Sequence, residues 1–457
     1  MRTPLVVALA VAAFAARTAE AAPISVPFTK TTLKNGLTVI LSEDHSVPRV
    51  FMSIRYRVGS SRETPGRTGF AHLFEHLMFE GSEHVPEGKF DQWLEGAGGD
   101  NNAFTSEDET YYFEEVPSNA VELPLFLDSD RMGFFISKLQ PDLVDGQRDV
   151  VKNEVRQNIF NRPWGEEELL MPPALWPKGH PYSWPVYGSM DDLSAASVDD
   201  VRAFYTKWYA PENAILVMVG DFDTKSMQKT IDHWFSDVPG RGAVEKPKPA
   251  PSSLKGEKRV VAEDARAPLA KVTIAWPSVA QFDPDDATLD LAASVLSTGE
   301  GSRLQKRLVH ELQIAQSVSA GQSSMERAGK FEISIIGQPE VKLGQLLKVV
   351  DEELKKLVDG GVQPAELDRA RAQIESASAN ALDSLNEKAS RLSSYEAALG
   401  QPDSFEKDLA RYRAATPQSV VDVVKRRLGK GRVVMSIVPK GRMDLAVINP
   451  NVAGGAL

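Results

Sequence analysis

His72, Glu75 and His76 are of types and spacing that could do chemistry together. The chain has seven histidines in 457 residues, and three of them fall in the stretch TGFAHLFEHLMFEGSEH, Thr68 to His84. On a helix, positions i and i+4 share a face and i+3 lies beside them, so two imidazoles and a carboxylate converge. Ala71, Leu73, Phe74, Leu77 and Met78 fill the rest of the circumference, which predicts a buried helix. Polar side chains on a buried helix need partners. A Zn²⁺ ion meets that need. Neutral imidazoles ligate it well, hydrolytic zinc sites often add a carboxylate, and water takes the fourth position with its pKa lowered toward neutrality. A carboxylate beside the ligands but off the metal can take that water's proton. The other reading of these residues is a pair of core histidines hydrogen-bonded to a glutamate. The H-x-x-E-H spacing on a buried helix favours the metal.

A third ligand has to come from elsewhere. The stretch Asp142 to Gly165 predicts a long amphipathic helix, with Val144, Val151, Val155 and Ile159 on its apolar side. Glu154 lies among Val150, Val151 and Val155, an unusual place for a carboxylate unless it is paired or ligated. A solvated helix position is the alternative. The chain has no cysteine, so disulfides, thiol catalysis and Cys-ligated zinc are ruled out and any metal must use His and carboxylates.

These residues need a scaffold. At 457 residues, with 42% hydrophobic and 25% charged residues, the chain has the composition of a globular protein of two or three domains. Residues 1–21 read as a signal peptide: Arg2, an apolar run from Pro4 to Ala16, then Ala19-Glu20-Ala21. The run is shorter than the roughly 20 residues that span a bilayer. A periplasmic or secreted protein without a membrane span is expected. Removing that segment takes the net charge from −11 to −12 by subtraction of two arginines and one glutamate. Such an acidic chain, with no basic run interleaved with aromatics, argues against nucleic acid as a partner.

The stretch Pro239 to Lys258 is rich in Pro, Lys, Gly and Ser. We read residues 22–240 as an N-terminal zinc-binding catalytic domain, 241–258 as a linker and 259–457 as a homologous C-terminal domain without metal. Strand-like runs Leu37–Leu41 and Arg49–Val58 recur as Arg259–Glu263 and Ala270–Trp276, and Asn213–Gly220 recurs as Arg432–Pro439. The Gln-Pro starts at Gln140 and Gln363 match as well. The expected class is α+β: two homologous domains, each a mostly antiparallel sheet packed with helices, forming a clam-like cleft.

H-x-x-E-H followed by Glu154 after 77 intervening residues resembles the pitrilysin-type (inverzincin) metallopeptidase family. Nearly the whole mature chain takes part in the likeness, including Asn102–Thr105 (NAFT) and Asn161–Gly165 (NRPWG). It looks closest to short bacterial members similar to mitochondrial processing peptidase subunits. The resemblance implies one zinc ion per chain on His72, His76 and Glu154, with Glu75 as general base. It implies peptide substrates lying along Asn102 and Ala103 as an added strand. Where many relatives carry a second glutamate this chain has Gln147, a candidate hydrogen-bonding support for the ligands. Where complete sites of the family carry an Arg and a Tyr, this chain has Val309 and Gln316. A same-fold partner chain bearing that pair is therefore expected, as a heterodimer. The rivals are a homodimer or a monomer using Arg303 or Arg307. A different class of reading is a non-catalytic scaffold or partner subunit, which usually loses H-x-x-E-H.

Overall fold

The computed structural model describes residues 24–242 and 244–448; the signal-peptide reading of residues 1–21 lies outside them. Among the described residues the strands form two sheets. The first contains β1 (Thr29–Thr32), β2 (Thr38–Glu43), β3 (Arg49–Tyr56), β4 (Asp100–Thr105), β5 (Thr110–Pro117) and β6 (Ala214–Gly220), in the order β1-β2-β6-β3-β5-β4. The second contains β7 (Lys258–Asp264), β8 (Lys271–Ser278), β9 (Ala315–Ser324), β10 (Gly329–Gly337) and β11 (Val433–Pro439), in the order β7-β11-β8-β10-β9. Without β1 the two orders coincide. So do the orientations: β2 with β6 and β7 with β11 are the parallel pairs, and the remaining pairs are antiparallel. The fold is α+β, built twice on one plan.

The strand sequences explain how the sheets are covered. β6 reads AILVMVG and is buried at every position, as a strand covered on both faces must be. Successive side chains alternate between faces. Leu216 and Met218 join Val39, Leu41, Met52 and Ile54 beneath the helices of the first half, including Phe70–Leu77. Ile215, Val217 and Val219 point the other way, with Ile40 and Phe51. Their cover comes from the second half: Leu385, Ala389, Leu392 and Tyr395 of the helix Leu385–Leu399. The exchange is reciprocal. Ala275, Val433, Met435 and Ile437 of the second sheet pack on Met171, Leu175 and Trp176, contributed by the helix Glu167–Leu175 and the residue after it.

Polar contacts follow the same exchange. Arg55 Nε donates to Ser393 Oγ at 3.0 Å, and Lys388 pairs with Asp44. Lys271 Nζ lies 2.6 Å from Glu167 Oε2, and Trp164 N donates to Asp264 Oδ2 at 2.7 Å. Each sheet thus buries one face only when the other half is in place.

Truncating that exchanged helix opens a void that neither half can fill. Leu392→Ala is expected to destabilise the chain by about 2–5 kcal/mol, read from denaturant unfolding. Truncating Lys348, exposed and 3.9 Å from Glu352, is expected to change it by less than about 0.5 kcal/mol.

Candidate metal centre

The motif helix runs Phe70–Leu77, with Phe70, Ala71, Leu73, Phe74 and Leu77 buried. Its start is held without a capping side chain at the N-cap. Instead Glu63, buried in the loop before it, accepts N–H groups from Gly69 at 3.0 Å and Ala71 at 2.8 Å. These are donors that the first turn of any helix leaves unpaired. Gly69 has φ of 88°, and a Cβ there would lie 2.6 Å from the Tyr187 carbonyl oxygen. Gly188 has φ of 67°, and a Cβ there would lie 2.2 Å from Gly69 N. Two glycines back to back let the turn at Tyr187 sit directly on the first turn of the motif helix.

That close approach puts the Tyr187 ring beside His72, with centroids 4.8 Å apart at 77°. The His72 and His76 rings stand 4.8 Å apart at 79°. The helix Pro141–Val155 delivers Glu154 from the opposite side and continues into a π-helical turn, Arg156–Phe160. Val144, Val151, Val155 and Ile159 are buried as their spacing predicts, while Val150 is exposed. Glu154 Oε2 lies 3.0 Å from His76 Nε2 and 3.5 Å from His72 Nε2. Its other oxygen, Oε1, accepts from Asn158 Nδ2 at 3.0 Å and lies 3.4 Å from the Tyr187 hydroxyl.

One nitrogen from each histidine and one Glu154 oxygen lie within 4.8 Å of one another, the one such group among the described residues. Glu154 Oε2 is buried yet accepts no well-aimed hydrogen bond. Burial, with a further contribution from His76, pushes the His72 imidazole down to about 4. The ring is therefore neutral near pH 7, which is the ligating form. The close approach of His76 first, then the charges of His72 and His76 and the hydrogen bond from Asn158, hold the Glu154 carboxyl below its ordinary value against the opposing effect of burial. Two imidazole nitrogens and a carboxylate oxygen converging on one point fit a zinc ion.

Glu75 stands apart from this group. Thr105 Oγ1, at the end of β4, donates to Glu75 Oε2 at 2.6 Å. Burial raises the Glu75 carboxyl above the usual carboxylate range. The arrangement differs from a histidine pair satisfied by Glu75, since Glu75 turns to Thr105 and the imidazoles turn to Glu154. Asn102 and Ala103 lie on β4, an edge strand paired on one side to β5, with Asn102 opposite Phe113 and Ala103 opposite Tyr112. Gln147 donates to Glu80 Oε1 at 2.7 Å rather than to a ligand. The residues that do hold Glu154 are Asn158 and Tyr187. Asn158 could have been found four residues beyond Glu154, on the same helical face. Tyr187 carries no local signal.

In the second half, Val309 packs partly buried against the core and Gln316 is exposed on β9. Arg303 is held by Glu366 through Nε at 2.8 Å and Nη2 at 2.6 Å, and by the Gly361 carbonyl. Arg307 pairs with Glu311 at 2.9 Å. The helix Asp286–Ser297, which corresponds in order to the motif helix, carries no histidine.

Residues 38–170 match the family model described as insulinase (peptidase family M16), and residues 195–374 match the one described as peptidase M16 inactive domain. "Zinc protease PqqE" of Helicobacter pylori is 30% identical over 346 residues, covering 74% of this chain and 77% of that protein. The β subunit of mitochondrial-processing peptidase from Lentinula edodes is 25% identical over 374 residues, covering 78% of each. Among solved structures, a protease from Helicobacter pylori superposes with a TM-score of 0.85 at 25% identity, covering 91% of this chain and all of that one. The periplasmic protease PqqL from Escherichia coli superposes with a TM-score of 0.78 at 20% identity, covering 95% of this chain and 52% of that one.

Removing a ligand and removing its support are expected to differ. His76→Ala should abolish tight zinc binding by the purified chain. Asn158→Ala should retain it with affinity lowered by about 10–100-fold, measured by competition with a chelator of known affinity.

Proposed function

The chain belongs to the M16 peptidase family, and from that premise we propose that it is a zinc-dependent endopeptidase acting on peptides or unfolded segments. The observation that carries the reading is the convergence of His72, His76 and Glu154 with Glu75 held beside them by Thr105. His72, His76 and Glu154 are the residues that would hold one zinc ion. Bound there, zinc supplies Lewis acidity, lowering the pKa of water toward neutrality and polarising a peptide carbonyl. Glu75 is the general base. The Thr105 hydroxyl anchors its Oε2, which leaves Oε1 to accept the proton of the attacking water and to pass it to the departing amine. The open edge of β4 at Asn102 and Ala103 binds substrate backbone as an additional strand. Asn158 and Tyr187 keep the Glu154 carboxylate aimed at the histidines.

The same proposal assigns residues 22–240 to the catalytic half and 259–457 to a half that serves structure and substrate enclosure, joined by 241–258. It places the mature chain in the periplasm or outside the cell, a reading supported by residues 1–21 and by the periplasmic description of PqqL. It also includes a partner. Val309 and Gln316 offer no cationic or phenolic group to a developing oxyanion, and Arg303 and Arg307 are taken by Glu366 and Glu311. This chain spans about half of PqqL, which suits a site completed by a second unit of the same fold. The scaffold reading draws support from the inactive-domain match at residues 195–374. That match starts at residue 195, beyond the H-x-x-E-H helix and Glu154, and H-x-x-E-H itself keeps all its members.

Metal analysis with a quenched-peptide assay, with and without chelator, tests the core of this reading. Glu75→Gln is expected to keep zinc and lose hydrolysis by at least about 10²-fold. Equal activity in that variant would remove Glu75 from the mechanism. The isolated chain should bind zinc and cleave slowly. Adding a same-fold chain that bears Arg and Tyr at the positions of Val309 and Gln316 should raise turnover by about 10²–10³. Full activity alone, unchanged by such a chain, would end the partner proposal.

A further inference from the structure

A cavity of about 480 Å³ opens where three parts of the chain meet: the end of the helix Val198–Trp208, residues 241–242 and 244–248, and the turn between β9 and β10. Its lining is predominantly basic. Arg62, Lys207, Arg241, Lys246, Lys248 and Arg327 line it, against the single carboxylate of Glu245. Arg62 is neutralised by Glu326 at 2.5 Å. The other five make no ion pair among the described residues. Elsewhere in the second half, Arg303, Arg411 and Arg432 all have carboxylate partners. The chain as a whole carries a net charge of −11, so a basic composition does not explain the patch.

Two of the guanidinium groups are held in place by groups that leave their charge intact. Arg241 Nη1 donates to the Tyr205 and Tyr209 carbonyls at 3.3 and 2.9 Å, and Nη2 to the Met132 carbonyl at 3.3 Å. Its guanidinium carbon lies 4.4 Å from the centre of the Tyr205 ring. Arg327 Nε donates to the Lys248 carbonyl at 2.9 Å. Both side chains are half-buried, whereas Lys207, Lys246 and Lys248 are exposed at the rim.

Like charges gathered around one cavity repel, and the repulsion grows where walls exclude water. A multiply charged anion reverses the sign of that interaction. Fixed guanidinium forks match phosphate oxygens, and rim lysines add mobile positive charge. The volume lies within the roughly 300–1,000 Å³ of ordinary small-ligand pockets. We propose that this cavity binds a small oligoanion of the condensed-phosphate class. Such a ligand touches Arg62, whose neighbour Glu63 holds the first turn of the His72 helix through Gly69 and Ala71.

Tripolyphosphate is the probe, titrated calorimetrically into the zinc-loaded chain at constant ionic strength. Saturable binding at one site is expected. Arg327→Gln combined with Lys248→Gln should weaken it by about tenfold or more. Lys246→Gln combined with Lys248→Gln, both exposed, should weaken it as well and covers the case where loss of Arg327 disturbs folding. Any chelation of zinc by the probe is common to all these proteins, so the difference between them reports the cavity. Heats that sodium chloride of equal ionic strength reproduces would overturn the proposal. So would equal binding by the parent and both variants. Binding of an oligoglutamate peptide in preference to tripolyphosphate would overturn it in favour of an acidic peptide ligand.

Discussion

A carboxylate and two imidazoles that face one another away from water constrain everything around them. Each such group costs several kcal/mol to bury alone, so the structure has to supply partners with fixed geometry. Here the partners are arranged by steric closeness. Gly69 and Gly188 touch where no Cβ would fit, and that contact brings the Tyr187 turn onto the first turn of the motif helix. Glu63 takes the helix's unpaired N–H groups, which frees that turn from needing a capping side chain of its own. Asn158 and Tyr187 then hold one Glu154 oxygen and leave the other aimed at the histidines. Glu75 is drawn aside to Thr105, so the four polar residues divide into a three-membered ligand set and one separate carboxylate.

The exchanged helices tie this site to the whole chain. β3 lies in the centre of the first sheet, between β6 and β5, and its side chains point alternately to the motif helix and to the helix Leu385–Leu399 from the second half. The site therefore rests on a sheet whose far face the second half covers. The second half repeats the strand order of the first and lacks its histidines. The packing is common to both halves, and H-x-x-E-H is present in the first. A chain with reciprocal cover resists opening between its own halves.

The sequence by itself determined the chemistry and the class of fold. H-x-x-E-H carries its own geometry, since i, i+3 and i+4 meet on any helix. The strand-like runs Leu37–Leu41, Arg49–Val58 and Asn213–Gly220, and their recurrence in the second half, indicate two related sheets. Glu154 stood out as a carboxylate on a valine-rich helix. The tertiary structure alone decided what surrounds these residues. It turned Gln147 to Glu80, brought Tyr187 to His72 across more than a hundred residues and gave Glu75 to Thr105. It also covered each sheet with a helix from the other half. Local periodicity reports which face of an element is apolar, and it carries no information about which distant segment will lie against that face. That choice rests on shape and volume between elements far apart in the chain, and these exist only once the chain has folded.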